Sequence, residues 1–134
     1  MKLSKLLIAT LAVFVFSFVI GMVTCGGVFN WVYQIEPTVV WKKEMSFPLL
    51  IIGEIFVSLL FVLVYAFINK GIEQENKFKK GLLYGFILYA ISSIPGIIAT
   101  YTFMNVSSIV ILYWTIWGLI VYPLKGLIIA AIYE

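Results

Sequence analysis

The chain contains no histidine, no arginine and no aspartate. Haem ligation, zinc sites and histidine-based acid–base chemistry thereby lose their usual residues. Without arginine there is no bidentate clamp for a carboxylate or phosphate. A single cysteine, Cys25, cannot run an intramolecular dithiol cycle, so a disulfide oxidoreductase is excluded. Charged residues of any kind make up only 11% of the sequence. These absences leave few nucleophiles or bases, and the expectation is a non-enzymatic chain with no cofactor and no metal.

What the chain does have is apolar length. Hydrophobic residues make up 63% of its 134 residues. They gather in four stretches at about 6–28, 47–69, 81–103 and 108–133. A hydrocarbon core ~30 Å thick takes roughly 20 helical residues, and each stretch reaches that length. The expected fold class is therefore all-α: one integral membrane four-helix bundle, residues 1–134 forming a single domain with short connections.

Lysine placement orients the spans. Lys2, Lys5, Lys70, Lys77, Lys79 and Lys80 fall on one side of a four-pass chain, and Lys42 and Lys43 on the other. Six against two predicts both termini in the cytoplasm and a bacterial inner-membrane location. The net charge of +3 is explained by this bias rather than by nucleic-acid binding. The expected surroundings are the lipid bilayer, with a second copy or another membrane protein as partner. Trp31, Trp41, Tyr101, Trp114 and Trp117 are expected near the outer interface, and Tyr84 and Tyr133 near the inner one. Lys2, Lys5 and the apolar run 6–20 resemble a signal peptide, but Met22-Val23-Thr24-Cys25 is a poor lipoprotein box. An uncleaved first span is expected.

Helical spacing picks out a small or polar stripe on each span. The stripes are Thr10, Ser17, Gly21 and Thr24; Glu54, Ser58, Tyr65 and Asn69; Gly81, Gly85, Ser92, Gly96 and Thr100; and Thr115, Gly118, Tyr122, Gly126 and Ala130. Small residues let helix backbones approach and hydroxyls bond between helices. Gly21, Gly81, Gly85, Gly96, Gly118 and Gly126 are accordingly expected to pack against neighbours. Gly96→Leu is expected to disrupt that packing. A sharper reading brings Glu54, Ser58, Ser92, Thr100 and Thr115 together as an intramembrane polar site.

Glu54 is the most informative single residue. It lies seven residues into the second span, ~10 Å deep at 1.5 Å per residue. Lipid exposure of its charge would be costly, so it should face the bundle, protonated, with a threonine, tyrosine or backbone partner. It is either a proton- or cation-binding acid or a structural one. Lys125, inside the fourth span, is expected to snorkel to the cytoplasmic rim. By depth it lies too far from Glu54 to pair. Pro95 and Pro123 should interrupt the third and fourth helices.

The aromatic segment from Asn30 to Trp41, Gly53-Glu54, the run Lys80-Gly81-Leu82-Leu83-Tyr84-Gly85-Phe86 and the glycine-interrupted last span carry a likeness. With them the chain resembles uncharacterised small bacterial four-helix inner-membrane proteins. That resemblance implies the fold and location and brings no activity. The expected function is a non-catalytic accessory or assembly protein. The alternative is a small oligomeric transporter or channel using Glu54 for proton or cation coupling.

Overall fold

The computed structural model describes residues 2–38 and 46–134. Among them the structure is helical throughout, with no strand. Helix α1 (Leu3–Val23) runs into a wide π turn, Thr24–Val28, and a short 3-10 segment, Asn30–Gln34. Helix α2 spans Phe47–Ile68, α3 Lys77–Leu88, α4 Ile94–Phe103 and α5 Ser108–Tyr133. A second π turn, Tyr89–Ser93, joins α3 to α4, so the two form one long span.

Local chemistry sets the helix starts. Ser46 Oγ accepts from Leu49 N–H at 3.4 Å, and Pro48 occupies the first turn, where a missing donor costs nothing. Asn76 Oδ1 accepts from Phe78 N–H at 2.9 Å and Lys79 N–H at 3.4 Å. That cap brings the start of α3 forward to Lys77 from the expected residue 81. Ser107 Oγ accepts from Ile109 N–H at 3.3 Å and starts α5.

Four units, Leu3–Val28, Phe47–Gly71, Lys77–Phe103 and Ser108–Tyr133, are long and apolar enough to cross a membrane. They alternate in direction. Lys5, Tyr65, Lys80 and Glu134 meet at one end, which we call the basic end. Thr24 and Cys25 meet Trp117 and Tyr113 at the opposite end. The chain is thus a transmembrane-type four-helix bundle.

The prolines act differently from one another. Pro95 has no N–H for the Ile91 carbonyl, and the backbone widens just ahead of it. Ile94 N–H bonds the Tyr89 carbonyl, five residues back. Pro123 does not interrupt its helix: α5 is continuous through it.

The core lies toward the basic end. Leu6, Ala9 and Val13 of α1 pack with Phe61, Val62 and Tyr65 of α2, Tyr84 and Leu88 of α3, and Ile129 and Ala130 of α5. Every buried residue of α2 lies at or beyond Ser58, and α4 buries none. The opposite half holds smaller buried groups, among them Val32, Val106 and Val110.

Candidate functional site

Close contact between α3 and α5 builds the interior. A Cβ on Gly81 would stand 2.7 Å from the Gly126 carbonyl oxygen and 2.8 Å from Ala130 Cβ. One on Gly85 would overlap Tyr122 and Pro123 backbone, and one on Gly118 would stand 2.7 Å from the Tyr89 ring. The contacts advance by four residues on α3 (81, 85, 89) as they retreat along α5 (126, 122, 118), the spacing of one face on each helix. Gly21 and Gly96 differ, since a Cβ on either meets nothing within 4 Å. The close approach expected at these two glycines does not occur.

Three buried tyrosines line this interior. Tyr84 is fully buried; its hydroxyl donates to the Phe61 carbonyl, tying α3 to α2. It lies one turn beyond Lys80, toward the basic end. Tyr65 packs edge-on to it at 5.0 Å between centroids. Tyr89 Oη donates to the Thr115 carbonyl at 2.9 Å, tying the π turn to α5.

Lys125 is the unexpected member. It is only 7% exposed. Its Nζ lies 4.9 Å from the Tyr122 ring centroid and 5.8 Å from that of Phe61. The expected snorkel to the basic end does not happen, and helix geometry gives the reason. Side chains tilt toward their own helix's N-terminus, which for α5 is the opposite end. The lysine accordingly folds back over Tyr122, three residues earlier. Among the described residues no hydrogen-bond acceptor and no carboxylate within 4 Å meets its ammonium group. Glu54 forms no ion pair with it.

The expected polar site is dispersed. Glu54 is half-buried on α2, one turn before the buried Ser58. The threonines expected to satisfy Glu54 bond their own helices instead. Thr100 Oγ1 donates to the Gly96 carbonyl at 2.9 Å and Thr115 Oγ1 to Ile111 at 2.8 Å. Thr24 donates to the Ile20 carbonyl and accepts from Trp117 Nε1 at 2.8 Å. Ser92 faces outward, exposed. Ser58, by contrast, is buried on α2.

The two ends carry separate networks. At the basic end, Lys5 Nζ donates to the Tyr133 carbonyl at 2.9 Å. Glu134 accepts from Tyr65 Oη at 2.8 Å and pairs with Lys80 at 2.9 Å. Burial acts to raise the Glu134 carboxyl. Donation by Lys80 and Tyr65, with the charges of Lys80 and Lys77, outweighs it and holds the group below its ordinary 4.5. A depressed carboxyl contributes stability that is present above the ordinary value and lost as pH falls through the folded value. Thermal melts in detergent should therefore be flat in this contribution above about pH 5. They should weaken on further acidification, and Lys80→Met should diminish that acid dependence.

At the opposite end Trp114 Nε1 donates to Tyr33 Oη at 2.8 Å, and Cys25 Sγ lies 3.4 Å from Tyr113 Oη. Burial pushes the Tyr33 phenol up to about 12, against the opposing Trp114 hydrogen bond. It stays neutral and is no base. Trp31 is exposed, as an interfacial ring would be. Trp41, Lys42 and Lys43 lie outside the described residues. Among those described, no group of three His, Cys, Asp or Glu side chains stands ready to hold a metal.

Comparisons with protein families, with curated proteins and with solved structures find no match to this chain. The site must be read from its own geometry. Residues that sequence reasoning undervalued are Lys125, Tyr84, Tyr89 and Glu134. For Tyr89 a signal was present, since it follows Gly85 by four residues, the spacing of one helix face; Tyr84, adjacent to Gly85, gave none.

Proposed function

We propose that the chain is a multi-pass protein of the bacterial inner membrane, with both termini cytoplasmic. It acts as a non-catalytic accessory or assembly subunit for another membrane protein. The observation that supports this most is the uneven packing. α4 and the first half of α2 bury none of their residues, and the buried Lys125 meets no hydrogen-bond acceptor among the described residues. Most polar groups in the spans are committed to helix–helix or backbone bonds, which suits a scaffold better than an active site. The lysine-rich end supports the orientation, as does the likeness to small bacterial four-helix inner-membrane proteins.

The second reading is a small oligomeric transporter or channel. Glu54 favours it, being a half-buried acid within a span. Reconstitution in vesicles holding a pH dye separates the two. The accessory reading expects no proton or cation flux above protein-free vesicles, and heteromeric particles when the chain is extracted in native lipid. Flux that disappears in Glu54→Gln, from particles containing this chain alone, overturns it.

Orientation has its own test. In a Cys25→Ser background, Thr38→Cys should react with an impermeant thiol reagent on intact spheroplasts, while Lys77→Cys stays protected. The reverse pattern would invert the topology.

A further inference from the structure

We propose that the outward face of α3 at the basic end binds an anionic phospholipid, with Lys77 and Lys79 on its phosphate and the apolar residues beneath them along its acyl chains. The inference goes beyond the accessory reading and rests only on the four spans crossing a membrane. α3 has two unlike faces. Gly81, Tyr84, Gly85 and Leu88 are buried in the bundle. Phe78, Lys79, Leu83, Phe86 and Ile87 are exposed. Residues 79, 83 and 87 recur every four positions, and 78 and 86 stand two such steps apart, so all share one side of the helix. Lys77 is drawn onto that side, since its Nζ lies 5.3 Å from the Phe78 ring centroid. The ring supplies electron density but no acceptor, so the ammonium donors of Lys77 remain open to an anion.

Neighbouring lysines are already engaged. Lys80 pairs with Glu134 at 2.9 Å, and Lys5 donates to the Tyr133 carbonyl at 2.9 Å. Lys77 and Lys79 form no ion pair among the described residues, although Glu73 and Glu75 stand in the connection just before them. Side chains tilt toward their own helix's N-terminus, which for α3 is the basic end. Both lysines therefore reach out toward headgroup level, by the same rule that turns Lys125 inward. Lys70, at the end of α2, tilts the other way. The apolar residues select the occupant. Leu83 lies ~6 Å and Ile87 ~12 Å below Lys79 at 1.5 Å per residue, the order of a charged head above acyl chains. A soluble anion would leave this column bare, and an acidic peptide laid along it would bury charge. Phosphatidylcholine carries its own cation, whereas an anionic phospholipid offers the lysines an uncancelled phosphate.

The test uses the full chain, extracted from membranes into a nonionic detergent and mixed with equimolar dioleoyl phosphatidylglycerol and dioleoyl phosphatidylcholine. Native mass spectrometry counts the lipids that stay bound. The parent should retain phosphatidylglycerol over phosphatidylcholine by about thirtyfold, equivalent to ~2 kcal/mol for two lysines at a charged surface. Lys77→Gln and Lys79→Gln should each cut that preference about fivefold, and together abolish it. Both side chains are exposed, so the variants should melt with the parent. Lys2→Gln with Lys70→Gln removes the same charge from the same end and should keep the preference. Equal capture of the two lipids by the parent overturns the proposal. So does a preference that survives loss of both Lys77 and Lys79, or one that falls as far when Lys2 and Lys70 are replaced. Displacement of phosphatidylglycerol by inorganic phosphate overturns it in favour of a free anion, and displacement by a soluble polyglutamate peptide in favour of an acidic protein. A chain recovered outside the membrane fraction would fail the membrane reading and this proposal together; equal capture by a membrane-extracted chain fails this proposal alone.

Discussion

Gly126→Ala will separate α3 from α5 and cost the fold about 2–3 kcal/mol. The added Cβ would overlap the Gly81 carbonyl oxygen and stand 2.6 Å from Gly85 N and 2.8 Å from Gly85 Cα. All three are backbone atoms, which cannot rotate away as a side chain would. Relief requires moving one helix, and that strips packing from Tyr84, Leu88 and Ile129, which share the same core. Alanine's higher helix propensity returns at most ~1 kcal/mol, so the clash wins. Thermal unfolding in detergent, followed by circular dichroism, measures the loss. Gly96→Ala is the control. With nothing within 4 Å of its Cβ, that variant should change stability by no more than about 1 kcal/mol, toward stabilisation if at all. A Gly126→Ala protein that melts with the parent would refute the backbone contact between α3 and α5.

The contrast between Gly126 and Gly96 also shows where the sequence is legible and where it is not. The four spans are plain, because hydropathy over a long window is a strong signal and short caps fix the ends. The stripe Gly81, Gly85, Ser92, Gly96 assumes an unbroken helical phase. The π turn at Tyr89–Ser93 holds one residue more per turn, which rotates everything after it by ~100° relative to that stripe. Ser92 and Gly96 are thereby carried off the packed face. Nothing in the residue pattern announces such a turn except Pro95, and a proline is equally compatible with an ordinary kink; Pro123 shows that it can leave a helix unbroken. Glu54 was legible by depth. Its environment was not, because the threonines at its level have carbonyls within reach on their own helices and take those first. Lys125 was misjudged by weighing the hydration of its ammonium group above the direction of its Cα–Cβ bond.

Lys125→Met will stabilise the isolated protein by roughly 1–3 kcal/mol. The substitution keeps an unbranched stem of similar volume between Tyr122 and Phe61 and removes an ammonium group that is only 7% exposed. What is lost is the cation–π attraction to two rings, worth ~2 kcal/mol when desolvated. What is gained is relief from burying an ion with no acceptor among the described residues, which costs several kcal/mol even after relaxation. The second quantity is the larger. Glu54 loses only a distant cation and stays half-exposed, so it adds little to the change. Methionine's sulfur also suits the aromatic surroundings. Thermal unfolding of the purified protein decides the sign. A clear drop in melting temperature would mean that the lysine already has an acceptor in the isolated fold. A rise would show that the buried ammonium group is a net cost to the fold, one that a protein above its stability threshold tolerates.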